Sequence, residues 1–189
     1  MEEISNQMHS RVNESPREFT VSCENVNFNL FNEEKQKMCT ILNDSDKPDI
    51  SFIRTGDSSN CYKVASNFRQ LISSISDEVR TRSQIEAKGR RYVIDDFLIR
   101  ASLVYQSNTP KLLLIETQYM PCSYLPICIP IVKEFIISRL QLDDMTISQH
   151  LNNIKYLKFT YSDIILQYKE IFDHSRRATG VDPVSSSKS

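Results

Sequence analysis

Residues Ser83–Tyr119 read SQIEAKGRRYVIDDFLIRASLVYQSNTPKLLLIETQY and hold the densest β signal in the chain. Within Arg91–Gln106, residues Phe97, Ile99, Ala101, Leu103 and Tyr105 alternate with Leu98, Arg100, Ser102, Val104 and Gln106. A period of two is what a half-buried antiparallel strand requires. Gly89 offers the free φ of a tight hairpin, and Ser107-Asn108-Thr109-Pro110 offers a longer polar turn. The stretch therefore predicts a meander of three strands: Gln84–Lys88, Arg91–Gln106 and Lys111–Tyr119. In the last strand Leu112-Leu113-Leu114-Ile115 is apolar on both faces. Both faces then need cover, by a barrel interior on one side and by a helix or a partner on the other.

Outward from this stretch the pattern continues on both sides. Ahead of it, alternation at Phe19, Val21 and Cys23 marks a strand over Glu18–Leu30, with Asn25 and Asn27 suggesting a bend or bulge. Gln36–Leu42, Asp49–Arg54 and Cys61–Ala65 read as further strands, separated by the turn clusters Asn43–Pro48 and Gly56–Asn60. Asn67 is placed to cap a helix whose apolar residues, Phe68, Leu71, Ile72, Ile75 and Val79, recur at spacings of three and four. Behind the stretch, Pro121–Pro130 reads as an irregular apolar lead into a helix over Ile131–Leu140. Gln141–Lys158 reads as a polar loop, and a last helix runs from Ser162 to Arg177 on the stripe Ile164, Ile165, Tyr168, Ile171 and Phe172. Strands joined by short turns, followed by helices, predict an α+β domain: an antiparallel sheet curling toward a barrel with helices on its flank. The organisation expected is a polar, partly helical segment at Met1–Arg17, one barrel-like domain over Glu18–Arg177, and a disordered tail at Ala178–Ser189.

Composition limits the function. The 189 residues carry 23 basic and 24 acidic side chains, a net charge of −1, so no overall field steers the chain onto nucleic acid or an anionic membrane. The chain has 3 glycines, Gly56, Gly89 and Gly180, too far apart for a phosphate-cradling loop. Its 5 cysteines, Cys23, Cys39, Cys61, Cys122 and Cys128, form no C-x-x-C and sit at no zinc-like spacing from a histidine. They read as reduced thiols of an intracellular protein. The apolar run Leu125–Ile137 is broken by Pro126, Pro130, Lys133 and Glu134, which argues against a membrane span.

No concentrated catalytic set emerges. His9, His150 and His174 lie far apart in sequence, and His174 suits the C-terminal end of the last helix. Asp95 and Asp96, if on a strand, point to opposite faces. Glu116 is the lone charge in Leu112–Tyr119, whereas a metal-dependent phosphohydrolase barrel needs several inward carboxylates and lysines at alternate positions. No catalytic, cofactor-binding or metal-ligating residue is assigned.

The blocks together resemble the family of subunit 20 of the Mediator complex. RSQIEAKGRRYVIDDFLIR is similar to that family's hairpin and D-F strand through Gln84, Ile85, Glu86, Lys88, Gly89, Arg91, Tyr92, Asp96 and Phe97. LLLIETQYMPC resembles its glutamate-bearing strand through Leu114, Ile115, Glu116, Tyr119 and Cys122. KEFI at Glu134-Phe135 and YSDIILQYKEIFDHSRR, with Asp163, Gln167, Tyr168 and Phe172, resemble its closing helices. EFTVSCEN and KMCTILNDSDKPDISFI fit its first third, so the similarity runs from Phe19 to Arg177. This chain begins at or inside the family's first helix, behind its usual opening strand; if nothing precedes Met1, the expected barrel lacks that strand.

The resemblance implies a nuclear, non-enzymatic transcription coregulator in the Mediator head. Its barrel would pair with that of subunit 18, with a segment of subunit 8 attached, and the assembly would link activators to RNA polymerase II. It implies no cofactor and no direct contact with nucleic acid or membrane. Partner contacts are expected at Leu112, Leu114, Glu116, Arg91, Tyr92 and Phe97. The alternative is a metal-dependent phosphohydrolase of the triphosphate-tunnel type, which the missing Glu-x-Glu-x-Lys strand argues against and a phosphate-release screen with magnesium or manganese would detect.

Overall fold

The computed structural model describes residues 15–30, 36–56, 60–141 and 161–177. The expectations for residues 1–14, for most of Gln141–Lys158 and for Ala178–Ser189 lie outside the described residues. Strands β1 (Arg17–Leu30), β2 (Lys37–Asp44), β3 (Ile50–Thr55) and β4 (Cys61–Ala65) come first, then helix α1 (Phe68–Ile75). Strands β5 (Ser76–Ile94), β6 (Phe97–Gln106) and β7 (Thr109–Tyr119) follow, and helices α2 (Leu125–Leu140) and α3 (Tyr161–Arg177) end the order. All seven strands form one antiparallel sheet in the order β4-β3-β2-β1-β5-β6-β7, with no pairing between β4 and β7. The architecture is α+β with an open, barrel-like sheet.

The two faces of the sheet have different covers. On one face Phe19, Val21, Cys23, Leu42, Phe52, Ile85, Ala87, Val104 and Leu114 form a core with Ile165, Tyr168 and Phe172 of α3. Seven strands about 4.8 Å apart would span roughly 29 Å if flat, whereas a helix is about 10–12 Å across. Yet α3 both touches β4 and bonds to Glu116 of β7. The sheet must therefore curl around α3, which occupies its concave side. Burial of Ile165, Tyr168 and Phe172 contributes on the order of 6 kcal/mol before entropy is counted. On the convex side α1 covers Val26, Phe28, Cys39, Ile41 and Ile53 through Ile72, and α2 covers Tyr92, Ile94, Ile99 and Ala101 through Phe135.

The turn expected at Gly89 is absent. β5 runs through this position, pairing Gly89 with Phe19 of β1 on one side and with Ser102 of β6 on the other. The hairpin turns instead at Asp95-Asp96, between the paired residues Ile94 and Phe97, with Asp95 at φ 51°. Asp tolerates the left-handed region because its short polar side chain bonds locally. Gly89 answers a need for space: a Cβ there would lie 1.9 Å from the carbonyl oxygen of Ala101.

The second turn is tighter than the sequence suggests. Ser107 and Asn108, at φ 49° and 63°, close a two-residue hairpin of the type that matches strand twist. Thr109 and Pro110 already belong to β7, where an edge strand tolerates proline.

A bulge explains why one long strand serves both cores. Pairing of β1 with β5 slips between Asn25↔Ser83 and Val26↔Thr81, leaving Arg82 as the extra residue. Val79 and Ile85 have the same parity, yet Val79 packs with the convex cluster and Ile85 with the concave one. The helical stripe read through Val79 thus ends at Ile75. Val79 still meets Phe68 and Ile72, from a strand. Asn67 occupies the N-cap position but makes no side-chain capping bond.

Helix α2 begins at Leu125, before the expected Ile131, with Pro126 in its first turn and Pro130 inside it. A proline in the first turn forgoes an N–H that has no helical partner, whereas Pro130 removes one bond from the ladder. Burial of Leu125, Cys128 and Phe135 on one side holds the helix across that gap.

Candidate functional site

The concave face carries one polar cluster, at the end of β6 away from the Ser107-Asn108 turn. Register places Arg17, Arg91, Arg100 and Glu116 in a row across β1, β5, β6 and β7. Adjacent like charges on one face repel, so this row of arginines needs acids from elsewhere. They come from the turn after β2. Arg100 donates from its two terminal nitrogens to both oxygens of Asp44, at 2.9 and 3.2 Å, and Arg91 lies 3.4 Å from Asp46. The turn itself is tied down where the Ser45 N–H donates to the Thr20 carbonyl and the Asp46 N–H to Asp44. The Arg100 guanidinium also lies 4.0 Å over the Phe19 ring, a cation–π contact.

Tyr168 joins the cluster from α3, its hydroxyl donating to Glu116 at 2.5 Å. Arg100 Nε lies 3.7 Å from Glu116 and 4.0 Å from Asp46, too far for a hydrogen bond, and it is buried without one. Burial pushes the Glu116 carboxyl upward, and Arg100 and the Tyr168 hydroxyl pull it only part of the way back. Burial and Glu116 together push the Tyr168 phenol well above its ordinary value. For Arg100, burial works against the charge, but Tyr168, Glu116 and Asp44 outweigh it, so the guanidinium is held more firmly protonated.

The consequence for Glu116 can be read as stability against pH. A carboxyl whose folded value is raised favours the fold below its unfolded value, and that contribution is lost as pH rises through the folded value. Glu116→Gln keeps an acceptor for the Tyr168 hydroxyl but removes the charge. It is expected to fall within about 1 kcal/mol of the parent at neutral pH and to unfold with a shallower loss of stability as pH rises from the ordinary carboxylate range. Urea unfolding between about pH 4 and pH 7 measures this, and a variant at least as pH-dependent as the parent would contradict it.

The six residues expected to meet a partner fall on different sides of the sheet. Leu112, Leu114 and Glu116 meet α3 on the concave side, where Leu114 is buried, and Arg91 shares that face by register, beside Asp46. Tyr92 is buried on the convex side, and Phe97 stacks on Phe135 of α2 with ring centroids 3.9 Å apart. Sequence reading missed Arg100, Asp44, Asp46 and Tyr168 as a group. The available signal was Arg100 on the same parity as Val104 and Ser102, a cation on a face that has to be buried.

A cleft of about 350 Å³ lies beside the turn after β2, lined by polar residues that include Thr20, Asn43, Asp44 and Lys47 and by Pro48 and Ile50. Asp44, its one acid, is already engaged by Arg100. Among the described residues no group of three or more His, Cys, Asp or Glu is placed to hold a metal ion. No helix among them is long and apolar enough to cross a membrane.

Fold and site define a class: an open antiparallel sheet curled around its own helix, with the charges on its concave face answered internally. The chain matches the family described as the TATA-binding related factor (TRF) of subunit 20 of Mediator complex over residues 5–173, and it belongs to that family. Relatives bearing the name Mediator of RNA polymerase II transcription subunit 20 include one from Aedes aegypti, 32% identical over 104 residues, which cover 53% of this chain and 48% of that protein. One from Anopheles gambiae is 29% identical over 123 residues, or 63% and 56% of the two chains. The Homo sapiens protein is 24% identical over 143 residues, or 75% and 67%. The match thus spans about half the length of the insect relatives.

Proposed function

We propose that this chain is a non-enzymatic, nuclear subunit of the Mediator head, a transcription coregulator that pairs with the subunit 18 barrel. A segment of subunit 8 attaches to the pair, and the assembly links activators to RNA polymerase II. The observation that carries the reading beyond family membership is helix α2. A surface helix normally divides into an apolar and a polar face. Here the buried side holds Leu125, Cys128 and Phe135, while Ile127 and Ile137 on other sides are 51% and 52% exposed. Met120 and Tyr124, just ahead of the helix, are exposed as well. Large apolar side chains left in water on one helix and its lead-in suit a protein contact.

The concave face supports the same reading, because α3 fills the side of the sheet where a tunnel enzyme would admit substrate. Leu112, Leu114 and Glu116 then act on a partner by holding α3, Arg91 by holding the turn after β2 through Asp46, and Tyr92 and Phe97 by holding α2. Co-expression with a subunit 18 homologue, followed by size exclusion at micromolar concentration, tests the proposal. Co-elution as a stable pair is expected, and Ile127→Asp with Ile137→Asp should weaken it at least about 10-fold while leaving the isolated chain folded. Separate elution of two folded proteins would overturn the pairing.

A further inference from the structure

The proposed function leaves two of the cysteines unused. Cys122 sits in the turn between β7 and α2, partly exposed, and Cys128 lies in the second turn of α2, buried. The Cys128 thiol donates to the Cys122 carbonyl at 2.9 Å, and the Tyr124 N–H donates to the Cys122 sulfur at 3.3 Å. The Cys128 sulfur thus lies against the Cys122 backbone, and burial, with Cys122 beside it, pushes the Cys128 thiol upward. Cys23 and Cys39 are sealed in separate cores, and burial pushes Cys39 up to about 11. Cys61 donates to the Ile53 carbonyl, with burial raising it as well.

We propose that Cys122 and Cys128 form an oxidation site, closed by hydroperoxides into a reversible disulfide that staples the turn after β7 to α2. The Cys122 sulfur, the more accessible of the two, attacks a peroxide oxygen. The O–O bond breaks, water or an alcohol leaves, and Cys122 becomes a sulfenic acid. The Cys128 sulfur then attacks the Cys122 sulfur, the S–O bond breaks, and the Cys128 proton departs with the hydroxide as a second water. Two thiols are oxidised and one peroxide is reduced. The helix that carries the proposed contact surface is thereby tied at its N-terminal end, although the chemistry does not depend on any partner.

The test treats the full folded chain with hydrogen peroxide, then unfolds and alkylates it. The tryptic peptide Leu112–Lys133 contains both residues and no other cysteine. It should appear unalkylated and about 2 Da lighter, at least about 10-fold faster than Cys39 is lost. Dithiothreitol should restore both thiols. Cys128→Ser should leave Cys122 to run on to sulfinic acid, and Cys122→Ser should leave Cys128 alkylatable. Sulfinic acid at Cys122 beside a free Cys128 in the parent chain would overturn the proposal. So would loss of this pair no faster than loss of Cys39.

Discussion

Gly89→Ala is expected to remove at least about 3 kcal/mol of stability, a large share of the roughly 5–15 kcal/mol a domain of this kind possesses. The added Cβ would meet the Ala101 carbonyl oxygen at 1.9 Å, the Ser102 Cα at 2.5 Å and the Ala101 carbonyl carbon at 2.7 Å. Every one of these atoms is backbone, so no rotamer change makes room. Relief requires β5 and β6 to separate at the Gly89↔Ser102 pair, beside the Arg91↔Arg100 pair that orients the polar cluster. Gly56→Ala is the control. Nothing lies within 4 Å of a Cβ there, but φ is +52°, so its cost is the strain of a left-handed residue, about 1 kcal/mol. Denaturant unfolding of the two variants separates clash from strain. Equal, small shifts in midpoint would show that β5 and β6 are not pressed together at Gly89.

The difference between Gly89 as a turn and Gly89 as a close approach marks where sequence reasoning stops. Glycine satisfies either requirement, and single-chain patterning cannot tell which one applies. Asp95 at φ 51° is the less obvious turn former, chosen because the strands on both sides of Gly89 need its backbone. What alternation reports well is burial, and the concave stripe Phe19, Val21 and Cys23 and the helical stripe Ile165, Tyr168 and Phe172 are both found in one core. Bulges defeat alternation: the extra Arg82 sends Val79 and Ile85 to opposite faces. The polar cluster was illegible for a different reason. Asp44 and Arg100 are 56 residues apart and meet only because the sheet curls, so their pairing is a property of topology.

That pairing leads to the second large effect. Arg100→Leu is expected to cost about 3–5 kcal/mol, because it leaves a buried carboxylate without its counter-charge. Arg100 is 12% exposed and Asp44 7%, so water cannot replace the lost bonds. Asp46 and Glu116 lose the same cation, and Glu116, already raised by burial, should rise further. Arg100→Lys keeps the charge but gives up the paired bonds to both Asp44 oxygens, so a smaller loss is expected. Arg100→Leu combined with Asp44→Leu should recover most of the loss, since an ion pair replaced as a whole by apolar groups is often neutral. A double-mutant cycle by urea unfolding reads the coupling directly, and additive losses would show that the two side chains act separately. The prediction also distinguishes two roles for the cluster. If the pair only closes the curl of the sheet, the double variant should still bind its partner with parental affinity. If the charges themselves orient α3 through Glu116 and Tyr168, the double variant will be stable and yet bind less tightly, because Glu116 keeps its bond to Tyr168 while losing the Arg100 cation 3.7 Å away.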